Sequence, residues 1–299
     1  MATLYTNAES NIRKTWLYLT LFFAFIILIG WIFSYAFNSQ AILWVAVILS
    51  IVSSFGSYWF SDKLVLAMSR AKPIAKEDAP ELYRVVENLA ITAGLPTPRI
   101  YIIEERAPNA FATGRDPKHA VVAVTRGLLE RLERAELEGV LAHELSHIGN
   151  RDMLIAAIAA VLASAIVIVS DIFMRSLWFG GRRDDRRGGG AAIMLVVGLV
   201  VAILAPIAAI MLRLAISRKR EFLADVSGAL LTRYPEGLAR ALEKISKDPR
   251  PLRAANNATA SLYIANPLKG EEQVSWFSKL FMTHPPVEER LKALRDMQV

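Results

Sequence analysis

Three long stretches of this 299-residue chain carry no charge. Thr15 to Ser61 holds no Asp, Glu, Lys or Arg, and neither do Met153 to Ser170 or Ala191 to Leu212. A bilayer core about 30 Å thick takes roughly 20 helical residues, so each stretch is a candidate span. The first divides at Asn38-Ser39-Gln40, a tight polar turn between Leu17–Phe37 and Ala41–Phe60. The pattern predicts an N-terminal transmembrane hairpin over residues 1–61, with bases at both of its ends and Trp31, Trp44, Tyr58 and Trp59 at the interfaces. Its first arm is too long for the core of a typical signal peptide and reads as a retained anchor.

The other two stretches predict a second hydrophobic hairpin over residues 153–212, joined by an Arg- and Gly-rich loop at 180–190. That makes about four transmembrane helices. Arg182, Arg183, Arg186 and Arg187 in this loop then fall opposite the other bases, against the positive-inside rule. A partly extramembrane helical pair, interrupted at Asp171, is the alternative.

Two polar blocks remain, 62–152 and 213–299. In the first, Leu82, Val85, Val86 and Leu89 recur at helical spacing between Pro80 and Gly94. Arg99–Ile103 and Ala120–Thr125 are rich in β-branched residues and read as strands. In the second, Pro235–Lys247 is amphipathic through Leu238, Leu242 and Ile245, while Pro249–Gly270 lacks periodicity and reads as a loop near a cleft.

Composition narrows the class. A hydrophobic content of 54% argues against a purely soluble protein. The net charge of +7 raises nucleic acid as a partner, but Arg13, Lys14, Lys63, Arg70, Lys72, Lys76, Arg213, Arg218, Lys219 and Arg220 flank the apolar runs. There they meet anionic headgroups, so the partner is the lipid bilayer and not nucleic acid. With no Cys, a disulfide scaffold, a thiol nucleophile and a thiolate zinc site are all excluded.

The chemistry centres on His143-Glu144-Leu145-Ser146-His147. Leu137, Val140, Leu141, Leu145 and Ile148 give this stretch a helical apolar stripe, and Glu133, Glu136 and Glu138 suit its N-terminal end. Residues four apart on a helix differ by about 40° around the axis, so both imidazoles face one way and can fill two corners of a Zn²⁺ site. Glu144 projects beside them, where a carboxylate can take a proton from water. Two solvated histidines and a surface glutamate would be the bland reading, yet this spacing uses two of only four histidines. Met153 follows His147 closely enough that the helix should run almost straight into the third apolar stretch.

A catalytic zinc takes three protein ligands. Glu221 and Asp225, four apart in Arg218–Asp225, offer one acid for the metal and one to orient a histidine. A charged helix end with Glu221 paired to local bases fits the spacing equally well. Between the strands, Asn109-Ala110-Phe111-Ala112 reads either as a core-facing edge strand or as an edge that pairs with an extended peptide. His284 either simply precedes a helix or donates a hydrogen bond to an oxyanion. His119 reads as a surface residue.

The motif H-E-L-S-H-x-x-N-x-D, with Asn150 and Asp152, followed by E-F-L-A-D at Glu221–Asp225, resembles the HtpX-type membrane zinc metalloproteases, relatives of the prenyl-protein (CAAX-type) proteases. Pro108–Gly114 and Thr283-His284-Pro285-Pro286 with Arg290 match as well. The resemblance implies one zinc ion per chain on His143, His147 and Glu221, with Glu144 as general base. It implies supporting roles for Asn150 and for an Asp225–Arg290 ion pair, a site role for His284, and substrate pairing along Asn109–Ala112. The fold implied is mainly α, a membrane protein whose zincin-like catalytic domain contains a small β-sheet and is split between residues 62–152 and 213–299. The implied activity is a zinc metalloendopeptidase acting on misfolded or misassembled membrane proteins, in quality control and stress response at a prokaryotic cell membrane, its catalytic domain facing the cytoplasm. Two other readings are a CAAX-type processing protease, which needs a chamber that four spans build poorly, and a zinc-stabilised scaffold or chaperone, which would tolerate loss of Glu144.

Overall fold

A computed structural model of the chain describes residues 4–36, 38–162, 218–255, 259–268 and 285–297. Most of the second hydrophobic hairpin with its arginine-rich loop, and His284, lie outside the described residues.

Helices α1 (Leu4–Ala36) and α2 (Gln40–Met68) form the first hairpin. Trp16 stacks on Tyr58 with ring centroids 5.6 Å apart, while Gly30 faces Ala46, so the two helices run antiparallel. Asn38 turns the chain between them with φ at +47°. Leu21, Leu28, Trp31, Val45, Ile48, Val52 and Phe55 point outward, a surface that fits lipid rather than water. Among the described residues, two helices are long and apolar enough to cross a bilayer, or three if one bent pair counts as a span.

Beyond the hairpin, β1 (Lys72–Pro73), β2 (Arg99–Ile103), β3 (Ala110–Thr113) and β4 (Val121–Thr125) form a mixed sheet in the order β1-β2-β4-β3. β2 and β4 are parallel, and the two outer pairings are antiparallel. β4 is buried on both faces, which is why it reads as an unbroken apolar run instead of an alternating one. Ile100, Ile102, Ala110, Ala112, Val122 and Val124 face a core built with α3 (Pro80–Thr92) and the later helices. Phe111, Val121 and Ala123 face the other way, onto Val65 and Leu66 at the end of α2. The membrane hairpin is thereby packed directly on the back of the sheet.

After α4 (Arg126–Arg131), α5 (Arg134–Gly149) begins with Glu136 accepting from the Glu133 N–H at 2.9 Å, a reciprocal cap for otherwise unpaired helix donors. α7 (Arg218–Thr232) and α8 (Pro235–Lys247) pack on α5, and α9 (Val287–Arg295) packs on α8. Gly139 lets α8 approach closely: a Cβ there would stand 2.7 Å from the Leu238 nitrogen. α5 is therefore a core helix of this packed unit.

One expectation is corrected. α5 does not run straight on: α6 (Asp152–Leu162) leaves at 84° to it. The break falls at Asn150 and Arg151, the latter in the left-handed region with φ at +57°. A continuing helix cannot pass through that conformation.

Candidate metal centre

His143 and His147 project from adjacent turns of α5, and Glu221 comes from the first turn of α7. Their donor atoms converge. His143 Nε2 and His147 Nε2 are 3.1 Å apart, Glu221 Oε1 is 3.6 Å from His147 Nε2, and Glu221 Oε2 is 3.9 Å from His143 Nε2. Tetrahedral zinc with bonds near 2.05 Å separates its ligand atoms by about 3.3 Å. The three side chains thus stand close to the spacing of a shared small cation, and they are the one such group of His, Asp and Glu among the described residues.

The crossing of α7 over α5 sets this geometry. Gly228, two turns beyond Glu221, lies against the backbone of His143. Asp225, one turn beyond Glu221, reaches the first histidine: its Oδ1 is 2.9 Å from His143 Nδ1. Arg290 of α9, fully buried, grips the same carboxylate from behind with Nε at 2.8 Å and Nη2 at 2.7 Å. Its third nitrogen donates to the Ile264 carbonyl at 2.8 Å and lies 3.9 Å from Glu221. Burial works against charge on Asp225, but Arg290 and His143 outweigh it and hold the carboxyl below its usual range.

The second histidine has its own carboxylate. Asp152 Oδ2 lies 3.2 Å from His147 Nδ1. Asn150, expected in a supporting role, caps α5; it offers its backbone carbonyl to a hydrogen bond, and its buried amide has no hydrogen-bond partner among the described residues. Burial opposes charge on His147, yet the hydrogen bond it donates to Asp152 and the charge of Glu221 lift it to about 9. Burial pushes His143 down. The two rings thus shift in opposite directions, burial dominating at His143 and the neighbouring carboxylates at His147.

Glu144 is buried on the flank of α5 facing β3, and the Ala112 N–H donates to its carboxylate. Burial pushes this carboxyl up to about 7, with His147 opposing and Glu221 adding. A cavity of about 40 Å³ lies between Glu144, His147, Glu221, Ala112 and Ser261. A water needs roughly 10–15 Å³ of such space, so the cavity has room for water beside the base.

β3 is one of the two edge strands of the sheet. The Thr125 N–H donates to the Asn109 carbonyl, so the main-chain groups of Ala110 and Ala112 alternate to the outer side. Part of that edge is engaged: Ile264 N–H donates to the Ala110 carbonyl at 2.9 Å. The Asn109 side chain holds the same segment through the Ala265 carbonyl at 3.0 Å, while Phe111 packs edge-on against Tyr263. The aperiodic loop after α8 therefore does lie beside the site.

Sequence reasoning passed over Asp152 as a partner of His147, although it lies in the quoted motif. It also passed over Asn11 of α1, which reaches the same carboxylate.

The family model for peptidase family M48 matches residues 76–298. The chain is 47% identical over 296 residues to a protease HtpX homolog of Dictyoglomus thermophilum, covering 99% of this chain and 95% of that one. It is 49% identical over 266 residues to a protease HtpX homolog of Pyrococcus furiosus, covering 88% and 89%. The crystal structure of S. mikatae Ste24p shares the fold with a TM-score of 0.51 at 20% identity, over 95% of this chain and 67% of that chain.

Proposed function

The chain belongs to peptidase family M48 and is a membrane metalloprotease, and on that premise we propose that it is a zinc-dependent endopeptidase that cuts misfolded or misassembled membrane proteins. The observation that carries this reading is the convergence of two imidazoles and one carboxylate beside a buried glutamate. Two nitrogens and one oxygen at near-tetrahedral spacing, with no thiolate, suit zinc and leave a position open.

His143, His147 and Glu221 would hold the ion. Asp225 and Asp152 fix the two rings through their Nδ1 atoms, and Arg290 fixes Asp225. Bound zinc supplies polarisation of the scissile carbonyl and lowers the pKa of the attacking water. Glu144 takes the proton from that water and returns it to the leaving amine. The substrate extends along β3, reading main chain to main chain and tolerating many side chains. His284 serves as the oxyanion donor.

Residues 62–152 and 213–299 form one catalytic domain interrupted by residues 153–212, a reading supported by the packing of α7 and α8 on α5. Arg13, Lys14, Lys63, Arg70 and Lys72 at the hairpin's ends favour a cytoplasmic catalytic face in a prokaryotic cell membrane. A lipid-modified peptide is the weaker substrate reading, because it calls for a large enclosed chamber, which about four candidate spans build poorly.

Zinc content and casein cleavage, measured in detergent for wild type, Glu144→Gln and Glu221→Gln, test the assignment. Wild type should hold one zinc and cleave, the first variant should keep zinc without cleaving, and the second should lose both. Full cleavage by Glu144→Gln would sink the mechanism.

A further inference from the structure

The N-terminal end of the first membrane helix reaches the metal centre. Asn11 of α1 is 4% exposed, and its side-chain amide donates twice across the domain boundary. Nδ2 lies 2.9 Å from the Asn150 carbonyl and 2.7 Å from Asp152 Oδ1. The other oxygen of Asp152 faces His147 Nδ1. An unbroken chain therefore runs from the membrane anchor through Asp152 to the imidazole that points at Glu221.

We propose that Asn11 is a positioning residue of the metal centre: by holding Asp152 it fixes the orientation of His147, so the affinity for the ion depends on α1 being docked. The inference rests on the zinc-site reading above. An aspartate at the start of α6, next to a left-handed residue, has no helix before it to fix its rotamer. Of the groups around it, Arg220 stands 3.7 Å from Oδ1, beyond hydrogen-bond distance. Asn11 supplies a short, charge-assisted contact to that same oxygen.

The amide is suited to the place. It presents two protons from one nitrogen, one for the carbonyl that ends α5 and one for the carboxylate that begins α6. Both sides of the 84° bend are thereby tied to one point on α1. An aspartate in its place would set two carboxylates against each other, and a leucine would leave two buried acceptors unpaired. Thr15, one turn along, donates its side-chain hydroxyl to the Asn11 carbonyl at 2.9 Å, a bond within the helix. It serves as an internal control for helix integrity.

The test uses the full chain in detergent and reads zinc affinity by competition with a chelator, alongside thermal unfolding of the zinc-free protein. Outer-shell partners of ligand histidines are worth about 10–100-fold in metal affinity, and Asn11→Leu should weaken zinc within that range. Thr15→Val should not. Adding Asn11→Leu to Asp152→Asn should weaken zinc no further than Asp152→Asn alone, because both changes cut the same chain. Asn11→Ser, polar but too short to span to Asp152, is measured in parallel with the same expectation, in case the leucine variant fails to fold. Zinc affinity equal to wild type in a folded Asn11 variant overturns the proposal, as does a double variant whose losses multiply. Absence of stoichiometric zinc in wild type would overturn the metal reading and this proposal together, whereas the former outcomes overturn this proposal alone.

Discussion

Gly228 of α7 is pressed against the main chain of His143, so close that a Cβ on it would stand 2.9 Å from the His143 nitrogen. That contact decides how near Glu221 and Asp225 come to the two imidazoles. Gly228→Ala should push the helices apart, cost about 1–3 kcal/mol of stability and weaken the metal at least as clearly. Gly149, at the end of the same α5, has only the tip of Leu95 at 3.9 Å before it. Gly149→Ala should be neutral or stabilise by about 0.5–1 kcal/mol. Thermal unfolding with zinc titration separates the two, and equal losses would mean that the helix spacing is not set at Gly228.

Arg290 and Asp225 are both buried, and each is the other's main compensation. Arg290→Met leaves a buried carboxylate with the His143 ring as its remaining partner and no compensating cation, a change that typically costs about 3–5 kcal/mol. Arg290→Lys keeps the charge but cannot reproduce two parallel hydrogen bonds to Asp225 together with one to the Ile264 carbonyl. It should recover only part of the loss in denaturant unfolding; full recovery would show that charge alone matters.

At the far end of α8, Asp248 is enclosed by Arg131 and Arg250. The hydrogen bonds of Arg250 hold it down to about 2, against the opposing effect of burial. A depressed carboxyl stabilises the fold fully above its ordinary value near 3.8 and loses that contribution as pH falls through about 2. With both arginines partly in water, the contribution is about 1 kcal/mol. Asp248→Asn should therefore lower stability at pH 7 and narrow its gap to wild type at pH 2–3. A gap that stays constant with pH would assign the loss to packing.

Removing the metal should leave the fold intact but weaker. An ion that binds only the folded state stabilises it by about 4 kcal/mol at a free concentration 1,000 times its dissociation constant. Chelation should lower the melting temperature and abolish cleavage, and added zinc should restore both. Glu221→Gln should show the lower melting temperature already and gain little from zinc.

Periodicity is where the sequence speaks clearly. Leu82 to Leu89 and Leu238 to Ile245 each mark one helix face, and α3 and α8 form there. The charge-free run placed the first hairpin, although α1 and α2 extend past it, because a helix does not stop where its lipid-facing stretch does. Local spacing put Glu221 and Asp225 on one face without deciding which acid meets the metal. The bend after α5 has only a weak signal: Gly149 and Asn150 adjoin it, but neither takes the left-handed conformation, which falls on Arg151, a type that rarely adopts it. Two-residue β1 is too short to carry a pattern. Asn11 is least visible of all, since its partner lies 141 residues away and a lone asparagine before Arg13 reads as ordinary headgroup-level polarity.

On the proposed substrate path along β3, the hydrogen bond from Ile264 to Ala110 would set a rival against the bound peptide. Any peptide that pairs with the whole of β3 must evict a segment tethered to the same chain, whose effective concentration is on the order of millimolar. A short or weakly extended peptide loses that contest. A long unfolded chain, offering many registers and further contacts beyond Ala110, wins it. If substrates pair along β3 as proposed, competition at one backbone carbonyl would favour unfolded over folded proteins, with no side chain needed to recognise damage.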